Sequence, residues 1–130
     1  MIFRLRTSKQ TQEIFEELER RTSYKPYTLV KHAIAWSLKN AESVADFKSD
    51  SDGLDLNRQT ITGDNESYFK AIIELIEGKH LSEEEFFPHY IKAHIDRGSK
   101  ILLICIITQE VLTSMYCKHS ELVTQYDIFG

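Results

Sequence analysis

The sequence has few of the residues that mark disordered or cross-linked proteins. Its 130 residues include only two cysteines, two prolines and five glycines, whereas 42% are hydrophobic and 11% aromatic. This composition disfavours a disulfide framework and is the opposite of the polar, Pro-rich composition of disordered chains. A chain of this length buries roughly two thirds of its unfolded surface, so we expect one self-sufficient domain over residues 1–130.

Long apolar segments are lacking as well. Residues 101–107 form an apolar run of seven, well short of the about 18 that cross a bilayer. The amino-terminal residues Met-Ile-Phe-Arg-Leu-Arg do not have the apolar stretch of a signal peptide. We therefore expect a soluble cytoplasmic protein without membrane contact. Cys105 lies in the apolar run, where a buried and inert thiol is the commoner state.

Motifs for catalysis or metal binding are missing too. There is no Gly-rich phosphate loop and no Gly-x-Ser-x-Gly, and the five histidines do not have zinc-ligand spacing. Asp50, Asp52 and Asp55 surround Gly53, but the glycine stands at the wrong offset for a calcium loop and the closing glutamate is absent. We predict no catalytic residue, no metal, no cofactor and no enzymatic activity.

Charge is distributed unevenly along the chain. Residues 1–40 hold eight Lys and Arg against four Glu, a net charge of +4. The other ninety residues hold eight Lys and Arg against sixteen Asp and Glu, a net charge of −8, and the two parts give the total of −4. Since phosphate binding responds to local charge, the basic end could still meet a polyanion.

Hydrophobic periodicity predicts a mainly α protein with a short amino-terminal strand and about five helices. A strand at 2–6 precedes a helix capped by Thr7 or Ser8 that reaches about Thr22, and Thr28 is expected to cap a second helix that reaches about Asn40. These elements make a strand-helix-helix unit over residues 2–40.

The remaining chain divides into an acidic loop over 45–65 and a helical part over 66–123. The loop contains one short strand in the stretch from Leu54 to Thr62. A helix at about 66–77 ends at Gly78, and a capping box of Ser82 and Glu85 starts another, which Pro88 bends and Gly98 ends. Alternatively, this helix starts nearer Pro88. The last helix is expected over about 99–123, although the β-branched run from residue 101 would also suit a strand.

The alternation in the first strand suggests a nucleic-acid reader. Arg4 and Arg6 point to one face and Phe3 and Leu5 to the other, as a ribbon-helix-helix protein requires when two chains pair their strands in the major groove. Lys9 lies in the first turn of the next helix, where free N–H groups often hold a phosphate. The alternative is a solvated edge strand that its charges protect from aggregation.

Three further lysines are candidates for phosphate contact. Lys25, Lys31 and Lys39 have no acidic residue at helical spacing in their own segment. Arg20 and Arg21 are weaker candidates, because Glu16 and Glu17 stand four residues before them and such pairs stabilise a helix.

His94 and Arg97 are three residues apart and share a helix face just before Gly98. They are candidates for contact with phosphate or with a neighbouring subunit. Equally, they could satisfy the last carbonyl groups of the helix.

The order and spacing of these segments, over about residues 3–103, resemble the DndE family, the small component of the bacterial DNA phosphorothioation system. The resemblance rests on Arg-Leu-Arg-Thr-Ser at 4–8, Glu-Arg-Arg-Thr at 19–22, Leu29 to Leu38 with Lys31 and Ser37, Thr62-Gly63 before a helix containing Tyr-Phe, and His94-Ile-Asp-Arg97-Gly98. The tail from Leu103 to Gly130 is longer than the family pattern predicts.

The resemblance implies a ribbon-helix-helix-related fold and a non-catalytic, DNA-binding accessory subunit of DNA phosphorothioate modification that associates with nicked duplex DNA. It also implies a homo-oligomer, expected to be a tetramer, and other proteins of the phosphorothioation system as partners. DNA binding in the family is attributed to surface lysines, and the resemblance implies this role for Lys9, Lys25, Lys31 and Lys39. Arg4 and Arg6 are added as candidates because they share one face of the predicted strand. Two alternatives stay open, a dimeric ribbon-helix-helix repressor and a protein-only assembly scaffold.

Overall fold

The computed structural model describes the backbone of residues 2–126 and the side chains of residues 2–118. Helices dominate, so the mainly α class is confirmed. The elements in chain order are β1 (Arg4–Arg6), α1 (Lys9–Thr22), α2 (Pro26–Lys39), β2 (Asp55–Asn57), α3 (Arg58–Ile61), a 3₁₀ turn (Gly63–Asn65), α4 (Glu66–Glu77), α5 (Glu83–Glu85), a π-helical segment (Phe86–Ile91) and α6 (Lys92–Tyr126).

The first strand pairs within its own chain. β1 and β2 are antiparallel, with Leu5 opposite Leu56 and Arg6 opposite Asp55. Both leucines are buried, while the two arginines of β1 are exposed. The expected ribbon between two chains is therefore replaced, at this edge of β1, by a ribbon inside one chain, and the ribbon-helix-helix relation is not confirmed. The pairing joins residues about fifty positions apart, which local sequence patterns do not reveal.

The first two helices lie close to their predicted bounds. Ser8 caps α1 by accepting a hydrogen bond from the Thr11 N–H at 3.0 Å, as predicted. The expectation that Thr28 caps α2 is wrong, because this helix starts at Pro26. Proline suits the first helical position, since its fixed φ matches the helix and the N–H that it lacks would have no partner there.

The expected strand between Leu54 and Thr62 covers only Asp55–Asn57. The next residues turn into α3, because the Asn57 side chain accepts a hydrogen bond from the Thr60 N–H at 2.7 Å and so caps a helical turn. α4 spans the predicted residues and ends at Gly78, whose φ of 72° is left-handed.

The capping box of Ser82 and Glu85 is confirmed at the start of α5. Pro88 does not break the helix that follows. The backbone widens into the π-helical segment, which accommodates a residue without an N–H donor. Four side chains of this segment are buried, namely Phe86, Phe87, Tyr90 and Ile91.

Gly98 does not end a helix, contrary to the prediction. α6 continues through it without interruption, so the helix expected after Ser99 is the second half of α6 and the strand alternative is wrong. A Cβ built on Gly98 would lie 1.8 Å from the Ala33 carbonyl oxygen of α2. The glycine therefore serves the close approach of two helices, and it stands where α6 crosses α2.

A buried carboxylate joins α6 to the start of α1. Asp96 accepts hydrogen bonds from the Ser8 N–H at 3.1 Å, the Thr11 hydroxyl at 2.6 Å, the Ser49 hydroxyl at 2.5 Å and the Lys92 ammonium at 2.8 Å. Its exposure is 1%, so these four donors replace the water that the charge has lost. Asp96 thereby connects α6 to the start of α1 and to the loop at Ser49.

α5, the π-helical segment and most of α6 form one continuous helical stretch. Over Glu83–Lys118 it is long and apolar enough to cross a membrane by length and composition alone, with an 18-residue window of mean hydropathy 1.5. Only 6% of that window is buried within the chain. Because the helix continues through Gly98, its apolar stretch is longer than the uninterrupted run of seven apolar residues at 101–107 indicated.

Candidate nucleic-acid interface

Arg4 and Arg6 project from the exposed face of β1, on either side of buried Leu5. The Arg4 Nε lies 3.1 Å from a carboxylate oxygen of Asp55 on β2, and both side chains are about half exposed. Ion pairs at such exposure contribute at most about 1 kcal/mol. In the part of the chain whose side chains are described, Arg6 has no carboxylate within ion-pair distance.

The helix start at Lys9 already holds an anion from the same chain. Asp50 accepts a hydrogen bond from the Lys9 N–H at 2.8 Å and another from the Asp52 N–H at 3.1 Å. These two backbone donors, the Lys9 N–H first, lower the pKa of the Asp50 carboxyl. The place predicted for a phosphate is thus filled by a carboxylate, and the Lys9 ammonium itself lies 3.4 Å from the Gln12 amide oxygen.

The three lysines around α2 differ in their surroundings. The Lys25 ammonium lies 2.9 Å from Glu19, and this hydrogen bond raises the pKa of the lysine. Lys39 is exposed and lies 4.8 Å from the centre of the Trp36 ring. Lys31 is exposed, and no described side chain forms an ion pair or hydrogen bond with it.

Arg20 and Arg21 are engaged with acids, and one of the two pairs that their spacing predicts, Glu17–Arg21, is confirmed. Glu17 accepts from both arginines, with the Arg21 Nε at 2.7 Å, and the predicted Glu16–Arg20 pair is not formed. These hydrogen bonds, that of Arg20 first, lower the pKa of Glu17. Arg21 also pairs with Glu110 on α6.

His94 and Arg97 are bound to the end of α2. The Arg97 guanidinium donates to the Ser37 hydroxyl and carbonyl, each at 2.8 Å, and to the Glu42 carbonyl at 2.9 Å. His94 is fully buried with Nδ1 2.8 Å from the Ser37 hydroxyl, and its Nε2 has no partner. Burial, helped by the charge of Arg97, lowers the pKa of His94 to about 4. Arg97 thus satisfies one carbonyl group of α2 and one in the loop that follows it, rather than carbonyl groups of its own helix.

The six cations predicted for DNA contact therefore fall into groups. Arg6, Lys31 and Lys39 have no acidic partner among the described side chains, whereas Arg4 and Lys25 each pair with one carboxylate. The Lys9 ammonium also has no carboxylate partner there, although the backbone N–H of Lys9 donates to Asp50. The sequence did not reveal Asp50 and Asp55 as neighbours of the basic segment, since they lie 41 and 51 residues away along the chain. Their contacts offset part of the local positive charge.

Metal ligands do not cluster in the described residues. No group of three or more His, Cys, Asp or Glu side chains lies together there in a way that could hold an ion. Cys105 and Cys117 are both free, and Cys105 is half-buried rather than fully enclosed.

Comparison with known proteins decides the family. The family model described as DNA sulphur modification protein DndE matches residues 4–105, most of the chain. The chain belongs to the DndE family. All eight residues singled out as candidate contacts lie inside the matched segment, while most of the α6 residues after Leu103 lie outside it.

A solved structure agrees with the DndE fold. The crystal structure of DndE from Escherichia coli B7A, described as involved in DNA phosphorothioation modification, superimposes with a TM-score of 0.64 at 19% sequence identity. The match covers 78% of this chain and 97% of the Escherichia coli chain. None of the curated proteins matches the sequence. At this identity the likeness establishes the fold alone.

Proposed function

We propose that this DndE-family protein is a non-catalytic, DNA-binding accessory subunit of DNA phosphorothioate modification. It binds duplex DNA, nicked duplex included, through backbone phosphates and acts in the cytoplasm with other proteins of the phosphorothioation system. Membership of the DndE family supports the role in DNA phosphorothioate modification. The DNA-binding role rests on the cations that the fold leaves accessible.

One observation carries this role: Arg6, Lys31 and Lys39 are exposed and have no carboxylate partner in the described part of the chain. Phosphate binding gains free energy when accessible cations release the counterions condensed on DNA. Arg4 and Lys25 serve as a second group, because their exposed pairs with Asp55 and Glu19 cost little to exchange for a phosphate. Lys9 contributes through its ammonium group alone.

Net charge argues for an assembly. A single chain carries −4, which repels DNA at long range even though its amino-terminal segment is basic. A homo-oligomer, proposed here as a tetramer, would gather four basic segments on one duplex. His94 and Arg97 are left out of the phosphate contacts, since their observed partners are in the same chain.

Fluorescence anisotropy with labelled intact, nicked and palindromic duplexes at two salt concentrations tests the proposal. We expect similar affinity for different sequences, equal or tighter binding to the nicked duplex, and a steep loss at high salt. A preference of several kcal/mol for one palindrome would favour the repressor. Capture of phosphorothioation proteins without DNA binding would favour the scaffold, and nicking that requires Mg²⁺ would contradict the non-catalytic role.

Two triple variants separate specific contacts from net charge. R6Q/K31Q/K39Q removes three accessible cations, and K70Q/K79Q/K100Q removes the same charge from the acidic part of the chain. We expect the first variant to lose most of its affinity and the second to retain it. Equal losses in both would contradict a contact surface at β1 and α2.

A further inference from the structure

The carboxyl-terminal half of α6 presents an unpartnered apolar face. Ile104, Ile107, Val111 and Met115 follow one another at spacings of three and four residues and so share one side of the helix. Ile104, Val111 and Met115 are 64%, 51% and 61% exposed. The side is widened by two more exposed side chains, Leu112 and Tyr116. We call these six residues the apolar row.

Charge is nearly absent from this stretch. Glu110 is the only charged residue between residues 101 and 117, and it points away from the apolar row to pair with Arg21 at the end of α1. Two such rows can therefore face each other without burying a charge. The absence of repulsion or a desolvation cost is what a self-complementary contact requires.

The pair between Glu110 and Arg21 also argues against a membrane as the occupant. The pair holds the middle of the apolar segment beside α1, a helix whose outward side carries Glu13 and Glu16. Charged side chains are costly inside a bilayer, and this ion pair lies in the middle of the apolar segment. Contact with another helix leaves the pair at the protein surface and therefore suits the apolar row better than a membrane.

The exposed area is large enough for a stable contact. Six large side chains at these exposures present about 600 Å² of apolar surface per helix, and a pair would bury about 1,200 Å² in total, above the about 1,000 Å² expected of a biological interface. The apolar row also has the spacing of three and four residues that is typical of paired helices. Most of the apolar row lies beyond residue 105, where the family match ends.

We propose that the apolar row pairs with the same row of a second copy of this chain. The inference rests on the homo-oligomeric part of the proposed function and names the segment through which copies join. Pairing is isologous, so each helix both presents and receives the same residues. Trp36 of α2 lies at the base of the row, where it lines a hollow with Ile104 and Cys105, and it becomes covered in the pair.

Sedimentation equilibrium of the full chain tests the proposal. V111K/M115K places two charges in the row, and L75K places one on another exposed apolar face, on α4, where Leu75 is 82% exposed. We expect the wild type and L75K to share one mass, and V111K/M115K to have half of it with unchanged helix content by circular dichroism. A monomeric wild type, or a double variant of wild-type mass, would overturn the proposal.

Two additional measurements identify the contact. Trp36 is the only tryptophan, so its emission should shift to longer wavelength when the wild type is diluted through the mass transition, and should already be shifted in V111K/M115K. Constant emission through that transition would place the contact elsewhere. Vesicles of neutral or anionic phospholipid should leave the wild type in the supernatant, and pelleting of a monomer with them would assign the row to a lipid surface.

The outcome is independent of the DNA test. V111K/M115K retains Arg6, Lys31 and Lys39, so the DNA-binding cations are intact in the variant. A wild type that forms the helix pair but does not bind DNA refutes only the proposed DNA binding. A wild type that binds DNA with a mass unaffected by V111K/M115K refutes only the helix pair.

Discussion

Gly98→Ala is a sharp test of how the helices meet. In an isolated helix this change is favourable by about 1 kcal/mol, since glycine is the poorer helix former. In the fold, the added Cβ would lie 1.8 Å from the Ala33 carbonyl oxygen and 2.5 Å from its carbonyl carbon, against the 3.4 Å of ordinary contact. The helices must therefore move apart by about 1.6 Å, the difference between 3.4 and 1.8 Å.

The expected cost follows from this displacement. Overpacking a core costs 1–3 kcal/mol, and we take the upper end, about 3 kcal/mol, because the obstructing atoms are backbone and α2 with α6 form the main helix contact. After the gain in helix propensity, the free energy of unfolding should fall by about 2 kcal/mol. For a domain of this size the melting temperature should fall by about 8 °C.

Urea denaturation followed by far-UV circular dichroism measures this change. Ala33→Gly should not rescue the variant, since the contact is with the carbonyl oxygen. Gly78→Ala is the matched control: its Cβ would meet nothing within 4 Å, and only the left-handed φ of 72° opposes it, at about 1 kcal/mol. A Gly98→Ala protein as stable as the wild type, or more stable, would refute the close crossing of α2 and α6.

Other consequences concern buried charges. As pH falls from 6.5 toward 4, the unfolded chain takes up a proton that folded His94 refuses, so stability should fall by about 1.4 kcal/mol per pH unit, and His94→Asn should remove this part of the dependence in urea titrations. An unchanged pH slope would contradict the burial. Arg58 is 10% exposed and pairs with Glu66 and Glu83, so Arg58→Met should cost about 3 kcal/mol, whereas exposed Arg4→Ala should cost under about 1 kcal/mol; equal costs would contradict this ranking.

Local sequence signals located several boundaries correctly. Ser8, Gly78 and the pair Ser82–Glu85 act through hydrogen bonds and backbone angles within a few residues, so their effect is legible in the sequence. Pro26 also acts locally, and it marks the start of α2 where Thr28 was expected to do so. The mainly α class followed from these signals together with hydrophobic periodicity, whereas the family was inferred from the resemblance of the segments over about residues 3–103.

Contacts between distant segments were beyond such signals. Glycine occurs both at helix ends and where two helix backbones cross closely, so the residue type at position 98 does not separate the two roles. The position of Ala33 against Gly98 does. Asp50 and Asp55 approach Lys9 and Arg4 through the return of the loop, so the separation of charge along the chain overstated the separation in space.

The salt dependence of duplex affinity tests the central claim most directly. If accessible cations contact phosphates, log K falls linearly with log salt, and each contact contributes about 0.9 to the slope. R6Q/K31Q/K39Q should then reduce the slope by about three, while K70Q/K79Q/K100Q should leave it unchanged. A flat profile for the wild type, or equal slopes in all three proteins, would contradict phosphate binding by the surface at β1 and α2.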